Sequence, residues 1–164
     1  MKKRTAFIGS ILSLIPLGQP LLIKTGAVLS TTGFILAVSE NVHAKDAAFY
    51  FNRAYDKNEK GDYSGAISDY TKALEINPQY ADAYYNMGIA KYHLKDYYGA
   101  ISDYTKAIEI NPKYAMAYNN RGIAKRKIGD DKGGCDDYKK AISLGNQVTE
   151  KWFKTNGAAW CRDM

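Results

Sequence analysis

Cysteine and histidine, the residues most often found at metal and catalytic centres, occur only twice each in this chain of 164 residues. Two cysteines are too few for a disulfide-rich framework or a four-cysteine zinc site. His43 and His93 cannot form a histidine-rich metal centre, and the acidic pair Asp136-Asp137 is interpreted as a solvated helix start. The chain shows no glycine-rich phosphate loop, metal-ligand spacing or nucleophile–histidine–acid set. The sequence therefore predicts a protein that is not an enzyme and uses no cofactor.

The chain also lacks a clean apolar run of the ~20 residues that a membrane-spanning helix needs. Residues 6–23 are apolar but are interrupted by Pro16, Gly18 and Pro20, and a second apolar stretch covers residues 26–39. Basic residues precede each stretch, and the small residue Ala44 fits the last position before a secretory cleavage site. We expect residues 1–44 to be a signal peptide cut between Ala44 and Lys45, or else an uncleaved membrane anchor.

Cleavage would place the mature chain in the periplasm or an equivalent lumen, whereas an anchor would hold it at a membrane through its N-terminus. Any membrane contact would then be made only by residues 1–44. The remaining residues carry 19 basic and 16 acidic side chains, so the net charge falls from +6 to +3. Basic and aromatic residues are not interleaved in the way that single-stranded nucleic acids require. Nucleic acid is therefore not an expected partner.

From Ala47 onward the sequence repeats with a period of 34 residues. Residues 65–80 and 99–114 differ at only two of 16 positions, and residues 133–144 form a weaker third copy. Apolar residues three and four positions apart predict helices, and two helices fit each period. One helix pair cannot bury its own apolar face, so neighbouring pairs must stack. The predicted fold is an all-α solenoid.

The predicted first helices cover residues 46–60, 80–95 and 114–128, and the second helices cover residues 63–76, 97–110 and 131–144. An aspartate stands before each second helix, where its side chain can accept a hydrogen bond from a free backbone N–H. Two of the second helices end at an Asn-Pro pair, because the residue before proline resists helical backbone angles.

This pattern resembles the tetratricopeptide repeat, a 34-residue helix–turn–helix unit. In the middle unit the matching residues are Tyr84, Met87, Gly88, Ala100, Tyr104, Ala107 and Pro112. The resemblance implies three units over residues 45–146, with bounds at 47–80, 81–114 and 115–146. It also implies that the small residues let paired helices approach closely, and that Tyr70, Tyr104 and Tyr138 pack in the core.

The resemblance further implies a concave groove lined by the first helices, where a protein or extended peptide would bind. Asn52, Asn86 and Asn120 recur at one position, and an asparagine row can bond a peptide backbone without reading its sequence. The alternative is that they only solvate the groove. We expect Tyr55, Tyr85, Tyr92 and Arg126 to add contacts. Some family members hold a C-terminal carboxylate with basic residues, but Phe51, Tyr55, Met116 and Asn120 stand at those positions here, and only Asn86 fits.

Residues 147–164 are expected to form a capping helix, Gln147–Trp160, followed by a tail. This end is similar to that of some exported bacterial proteins of the same repeat class, which carry a glycine-cysteine helix and a second cysteine near the terminus. If the chain is exported, Cys135 and Cys161 can form a disulfide that joins the cap to the last repeat; the alternative is two free thiols.

Together these features predict a scaffold or assembly factor that binds a protein partner in the groove. A second hypothesis is self-association, because nearly identical units can stack end to end between chains.

Overall fold

The computed structural model describes residues 46–157 together with residues 159 and 161, and the structural statements below concern these residues. The predicted signal segment 1–44 and the cleavage point at Ala44 and Lys45 lie outside the described residues. Seven α-helices follow one another along the described chain. They are α1 (46–59), α2 (Tyr63–Ile76), α3 (Ala81–His93), α4 (Tyr97–Ile110), α5 (Ala115–Lys127), α6 (Asp131–Ser143) and α7 (Gln147–Trp152). The predicted all-α solenoid is confirmed.

Successive helices pack on one another in the order of the chain, so that α3 lies against α2 and α4, and α5 against α4 and α6. The predicted second helices 63–76 and 97–110 have the observed bounds, while the first helices are one to three residues shorter than predicted. None of the described helices has the length and apolarity required to cross a membrane.

Each second helix begins with the predicted aspartate cap. The carboxylates of Asp62, Asp96 and Asp130 accept a hydrogen bond of 2.9 Å from the backbone N–H of the glycine three residues later. These caps satisfy one of the N–H groups that the first helical turn leaves without a partner. A side chain at the glycine would collide with the capping carboxylate, which explains why a glycine follows each aspartate at this spacing.

The predicted tyrosines do pack in the core. Tyr70, Tyr104 and Tyr138 are at most 3% exposed. Their neighbours are small residues on the first helices: a Cβ atom built on Gly88 would lie 2.7 Å from a ring carbon of Tyr104. The ring therefore occupies the space that an ordinary side chain at this position would need, and α3 and α4 approach closely because position 88 has no side chain.

A buried aspartate also recurs every 34 residues on the second helices, at Asp69, Asp103 and Asp137. In the first unit Arg53 donates two hydrogen bonds of 2.6 and 2.7 Å to the Asp69 carboxylate, which keeps the pKa of Asp69 well below its usual range. In the third unit Arg121 donates two bonds of 2.7 and 2.9 Å to Asp137. The interpretation of Asp137 as part of a solvated helix start is therefore wrong, since its side chain is needed to pair with α5.

The middle unit departs from this pattern. Met87 stands where the other units have arginine, and the carboxylate of Asp103 keeps only Lys91, whose Nζ lies 2.7 Å from Oδ2. Burial is the largest influence on this carboxylate and raises the pKa of Asp103, although Lys91 acts in the opposite direction. The three units thus share a backbone arrangement but differ in how well a buried charge is compensated.

The end of the array differs from the prediction in one respect. Gly145 adopts a φ of +87° and ends the third unit, and the side chain of Asn146 caps α7 by accepting a bond of 3.0 Å from the N–H of Thr149. The α-helix then stops at Trp152, and the chain continues as a π-helical turn over Phe153–Gly157. The predicted capping helix is thus observed from Gln147 to Gly157, but its second half is a π-helical turn instead of an α-helix.

Candidate functional site

Two neighbouring cavities lie along the first helices of the units. The larger one, which we call the aromatic cavity, has a volume of about 490 Å³. Its walls come from α1, the start of α2, α3 and the start of α5. The lining residues are Tyr55, Asn58, Glu59, Tyr63, Tyr85, Asn86, Ile89, His93 and Met116. The smaller one, the inner cavity, measures about 210 Å³ and is lined by Ile89, Tyr92, His93, Tyr104, Asn120 and Ile123. Since Ile89 and His93 belong to both, the cavities form one continuous groove.

Helix periodicity explains why these residues share a surface. Asn86, Ile89 and His93 lie three and four positions apart on α3, so their side chains project from one face. Across the cavity, the imidazole of His93 stacks on the ring of Tyr63, with centroids 4.6 Å apart and an interplanar angle of 3°. The groove is therefore bounded by flat aromatic and apolar surfaces with a small number of polar groups between them.

A chain of hydrogen bonds crosses the groove from the cap to the aromatic cavity. The hydroxyl of Thr149 donates to Asn119 Oδ1 (2.7 Å), and Asn119 Nδ2 donates to Asn120 Oδ1 (3.1 Å). Asn120 Nδ2 then donates to the Tyr85 hydroxyl oxygen at 3.0 Å. Because that oxygen accepts, the Tyr85 hydroxyl hydrogen takes no part in this chain of bonds. Burial raises the pKa of Tyr85, so this hydrogen remains in place near neutral pH.

Most of the predicted binding residues lie in the groove. Tyr55, Tyr85 and Asn86 line the aromatic cavity, and Tyr92 and Asn120 line the inner cavity. Asn86 and Asn120 already hold hydrogen bonds within the protein: Asn86 Nδ2 donates to the backbone oxygen of Asp82 at 2.8 Å, and Asn120 belongs to the chain described above. Asn86 can still bond a ligand with its other amide hydrogen, whereas Asn120 also hydrogen-bonds the Tyr104 hydroxyl. The binding role of the row stays a prediction.

Two predicted residues lie elsewhere. Asn52 is exposed on α1 and lines neither cavity of the described chain. Arg126 packs against the end of the array, with its Nε 3.8 Å from a carboxylate oxygen of Asp131 and its guanidinium carbon 5.8 Å from the ring centre of Trp152. These contacts assign Arg126 to the junction of α5, α6 and α7 and do not bring it into the groove.

Sequence reasoning missed four residues that contribute to this site. Asn58 and Glu59 follow Tyr55 by three and four positions, so the helical spacing of α1 could have placed them on the same face. Tyr63 starts a second helix and Thr149 lies in the cap, and both reach the groove only through the stacking of elements. No periodicity within the sequence indicates these last two residues.

The two cysteines meet at the end of the array. Cys135 on α6 and Cys161 have Cα atoms 5.6 Å apart, and their sulfurs are joined as a disulfide, which we call the cap disulfide. Both residues are at most 3% exposed. Among residues 46–157, 159 and 161, no group of three or more histidine, cysteine or acidic side chains is arranged to hold a metal ion.

The fold and the groove define a class of protein, the α-solenoid built from repeated helix hairpins. Family models agree with this assignment. A model described as TPR repeat matches residues 54–95, and models described as tetratricopeptide repeat match residues 81–114 and 103–134. Residues 54–134 therefore match tetratricopeptide repeat models, in agreement with the sequence resemblance.

Solved structures of this fold are also similar. The first TPR of Spaghetti (RPAP3), bound to the HSP90 peptide SRMEEVD, is 24% identical with a TM-score of 0.66, over 71% of this chain and 94% of that one. The Arabidopsis OM64 TPR domain is 26% identical (TM-score 0.64; 68% and 97% covered). The Sgt2 TPR domain from Aspergillus fumigatus is 26% identical (TM-score 0.62; 66% and 75% covered). No curated protein sequence matches this chain.

Proposed function

We propose that this chain is a non-enzymatic interaction module that binds an extended segment of a protein partner in the groove. The observation that carries this proposal is the hydrogen-bond chain from Thr149 to Tyr85, in which the hydroxyl oxygen of Tyr85, a residue of the aromatic cavity wall, accepts and its own hydrogen is not used. An extended peptide offers backbone carbonyl groups that can accept such a hydrogen. The flat aromatic walls supply contact area at a low cost in conformational entropy.

The partner differs from the acidic peptide named for the Spaghetti (RPAP3) structure. Tyr55, Asn86 and Met116 line the aromatic cavity at positions that would bind a carboxylate in clamp-type relatives. None of these three side chains is basic, and only Asn86 matches the clamp pattern. A free C-terminal carboxylate would therefore lose its hydration in this cavity without gaining an ion pair.

The proposed biological role is that of a scaffold or assembly factor acting after export. Residues 1–44 supply the segment expected to direct export, and the cap disulfide is of a kind that persists in oxidising compartments. A count of free thiols in the native protein, denatured without reductant, tests this part. We expect none; two free thiols would contradict export to an oxidising compartment.

Site-specific photo-cross-linking in the native cell tests the groove itself. A photoreactive phenylalanine derivative replaces Tyr55, which lines the aromatic cavity and is 45% exposed, or Tyr98 on α4, which is 73% exposed and lines neither cavity. We expect a protein adduct from position 55 that position 98 does not give. An identical adduct pattern from both positions would contradict binding in the groove.

The residue roles are tested on the same adduct. The change Tyr85→Phe keeps the ring and removes the hydroxyl hydrogen, whereas Tyr98→Phe is the matched control. We expect the first change to reduce the adduct and the second to leave it unaltered. If the triple change Asn52→Ala, Asn86→Ala, Asn120→Ala leaves the adduct intact, the asparagine row solvates the groove and does not bind. Light scattering over a range of concentrations separates these results from self-association.

A further inference from the structure

One acidic side chain lines the aromatic cavity. Among the described residues that line it, and apart from the imidazole of His93, Glu59 alone carries an ionisable side chain that is charged at neutral pH. Glu59 is exposed at the end of α1, so its carboxylate contributes a negative potential to the cavity. A ligand group of positive charge would be attracted by this potential, and a carboxylate would be repelled.

A second hydrogen-bond acceptor, the side-chain oxygen of Asn58, belongs to the residue before Glu59. The Oδ1 atom of Asn58 is buried, and it has no hydrogen-bond partner among the described residues. An amide oxygen can only accept hydrogen bonds, and leaving one buried without a donor is unfavourable. Asn58 lines the aromatic cavity, so a donor brought by a ligand would remove this penalty.

The walls of the cavity favour the same kind of ligand. Tyr55, Tyr63 and Tyr85 present aromatic rings, whose faces carry negative charge and attract cations. Ile89 and Met116 add apolar surface on which the methylene groups of a long basic side chain can lie. A volume of about 490 Å³ leaves space for one such side chain together with part of its backbone.

From these three observations we infer that the aromatic cavity binds an arginine or lysine side chain of the partner. The carboxylate of Glu59 and the amide oxygen of Asn58 accept hydrogen bonds from the cationic group, and the tyrosine rings contact its faces. This inference rests on the proposed function, because it assigns a partner chemistry to the same groove.

The test uses synthetic pentapeptides of the form acetyl-Ala-Ala-X-Ala-Ala-amide, in which X is arginine, norleucine or glutamate. Norleucine keeps a linear apolar side chain without charge. Binding to the 15N-labelled protein is followed by NMR, through the amide signals of Tyr85 and Ile89, at pH 7.5 and low salt. We expect the arginine peptide to bind at least about fivefold more tightly than the norleucine peptide, and the glutamate peptide to bind most weakly.

Three variants assign the effect to the cavity. Glu59→Gln removes one charge while keeping the shape of the side chain, and Tyr55→Leu removes an aromatic face. We expect both changes to weaken binding of the arginine peptide by about threefold or more. Glu59→Gln should leave binding of the norleucine peptide unchanged, because that peptide carries no charge at this position. Glu75→Gln is the matched control, since Glu75 is exposed on α2 and lines neither cavity. Unchanged amide spectra away from the groove show that each variant is folded.

The outcomes separate this inference from the proposed function. If the norleucine peptide binds as tightly as the arginine peptide, or if Glu59→Gln has no effect on the arginine peptide, the cavity is an apolar peptide site. The inference that it binds a cationic side chain is then wrong. If none of the three peptides moves the groove signals while the cross-link from position 55 is observed, the groove binds its partner but not through a basic side chain. If the cross-link is absent as well, both statements are overturned.

Discussion

Replacing the buried arginine of the third unit by methionine should destabilise the array severely. The guanidinium of Arg121 donates two hydrogen bonds to Asp137 and a third, of 3.1 Å, to the hydroxyl of Thr105 on α4. Arg121 thus joins three helices, and its side chain is only 15% exposed. The change Arg121→Met keeps an unbranched apolar stem but removes the guanidinium and with it all three bonds.

The expected loss can be bounded from the contacts. Removing one partner of a buried ion pair costs about 3–5 kcal/mol, and a hydrogen bond to a charged group contributes about 1.5–3 kcal/mol. Asp137 keeps a second cation, because Lys125 Nζ lies 2.9 Å from its Oδ2, so the loss is below the upper limit. We expect the free energy of unfolding to fall by about 3 kcal/mol.

Urea denaturation followed by circular dichroism at neutral pH measures this change. Lys139→Met is the control, since Lys139 is exposed on α6 and the substitution tests the same gain of apolar character. A loss below about 0.5 kcal/mol for Arg121→Met, the range of ordinary surface changes, would refute the view that this ion pair stabilises the array.

Three further predictions concern other contacts. Met87→Arg should lower the pKa of Asp103, which burial now raises. Because this pKa is raised, ionisation of Asp103 destabilises the folded protein as the pH rises above about 3.8. The variant should therefore gain more stability at pH 7 than at pH 3 in urea titrations. Gly88→Ala should lower the melting temperature by overpacking against Tyr104, a loss of about 1 kcal/mol once helix propensity is counted; an increase would contradict the close contact. Thr149→Val should destabilise the protein by about 1–3 kcal/mol in thermal scans, because it leaves the partly buried amide oxygen of Asn119 without its donor; Thr155→Val is the exposed control.

Much of the fold was predictable because the information is local and repeated. The 34-residue period, the aspartate before each second helix and the Asn-Pro pairs fixed the helix order, and the aromatic residue at positions 70, 104 and 138 identified the core. The chain end was less predictable, since it occurs once and its π-helical turn has no second copy for comparison.

The site was predictable only where its residues share a helix face. Asn86 and Asn120 occupy one recurring position of the first helices and line the groove together with Tyr55, whereas Asn52 at the same position lines neither cavity. The contribution of Thr149 depends on how α7 packs against the rest, which the sequence pattern of α7 does not encode. For Arg126, the position on α5 predicted a place in the groove. Its contacts with Asp131 and with the ring of Trp152 instead hold it at the end of the array.

The repeat also separates positions that build the array from positions that give the groove its character. The second helices of the first two units are nearly identical because both must pack the same tyrosine and aspartate. At one position of the first helices, however, the residue changes from Glu59 to His93 to Lys127 in three successive units. Because the three positions are equivalent in the repeat, this change gives the row a negative charge at Glu59 and a positive charge at Lys127, which lies beyond the two cavities. An extended peptide with a basic residue at one end and an acidic residue at the other should therefore bind in a single direction, and the same peptide with these two residues exchanged should bind more weakly in the NMR titration.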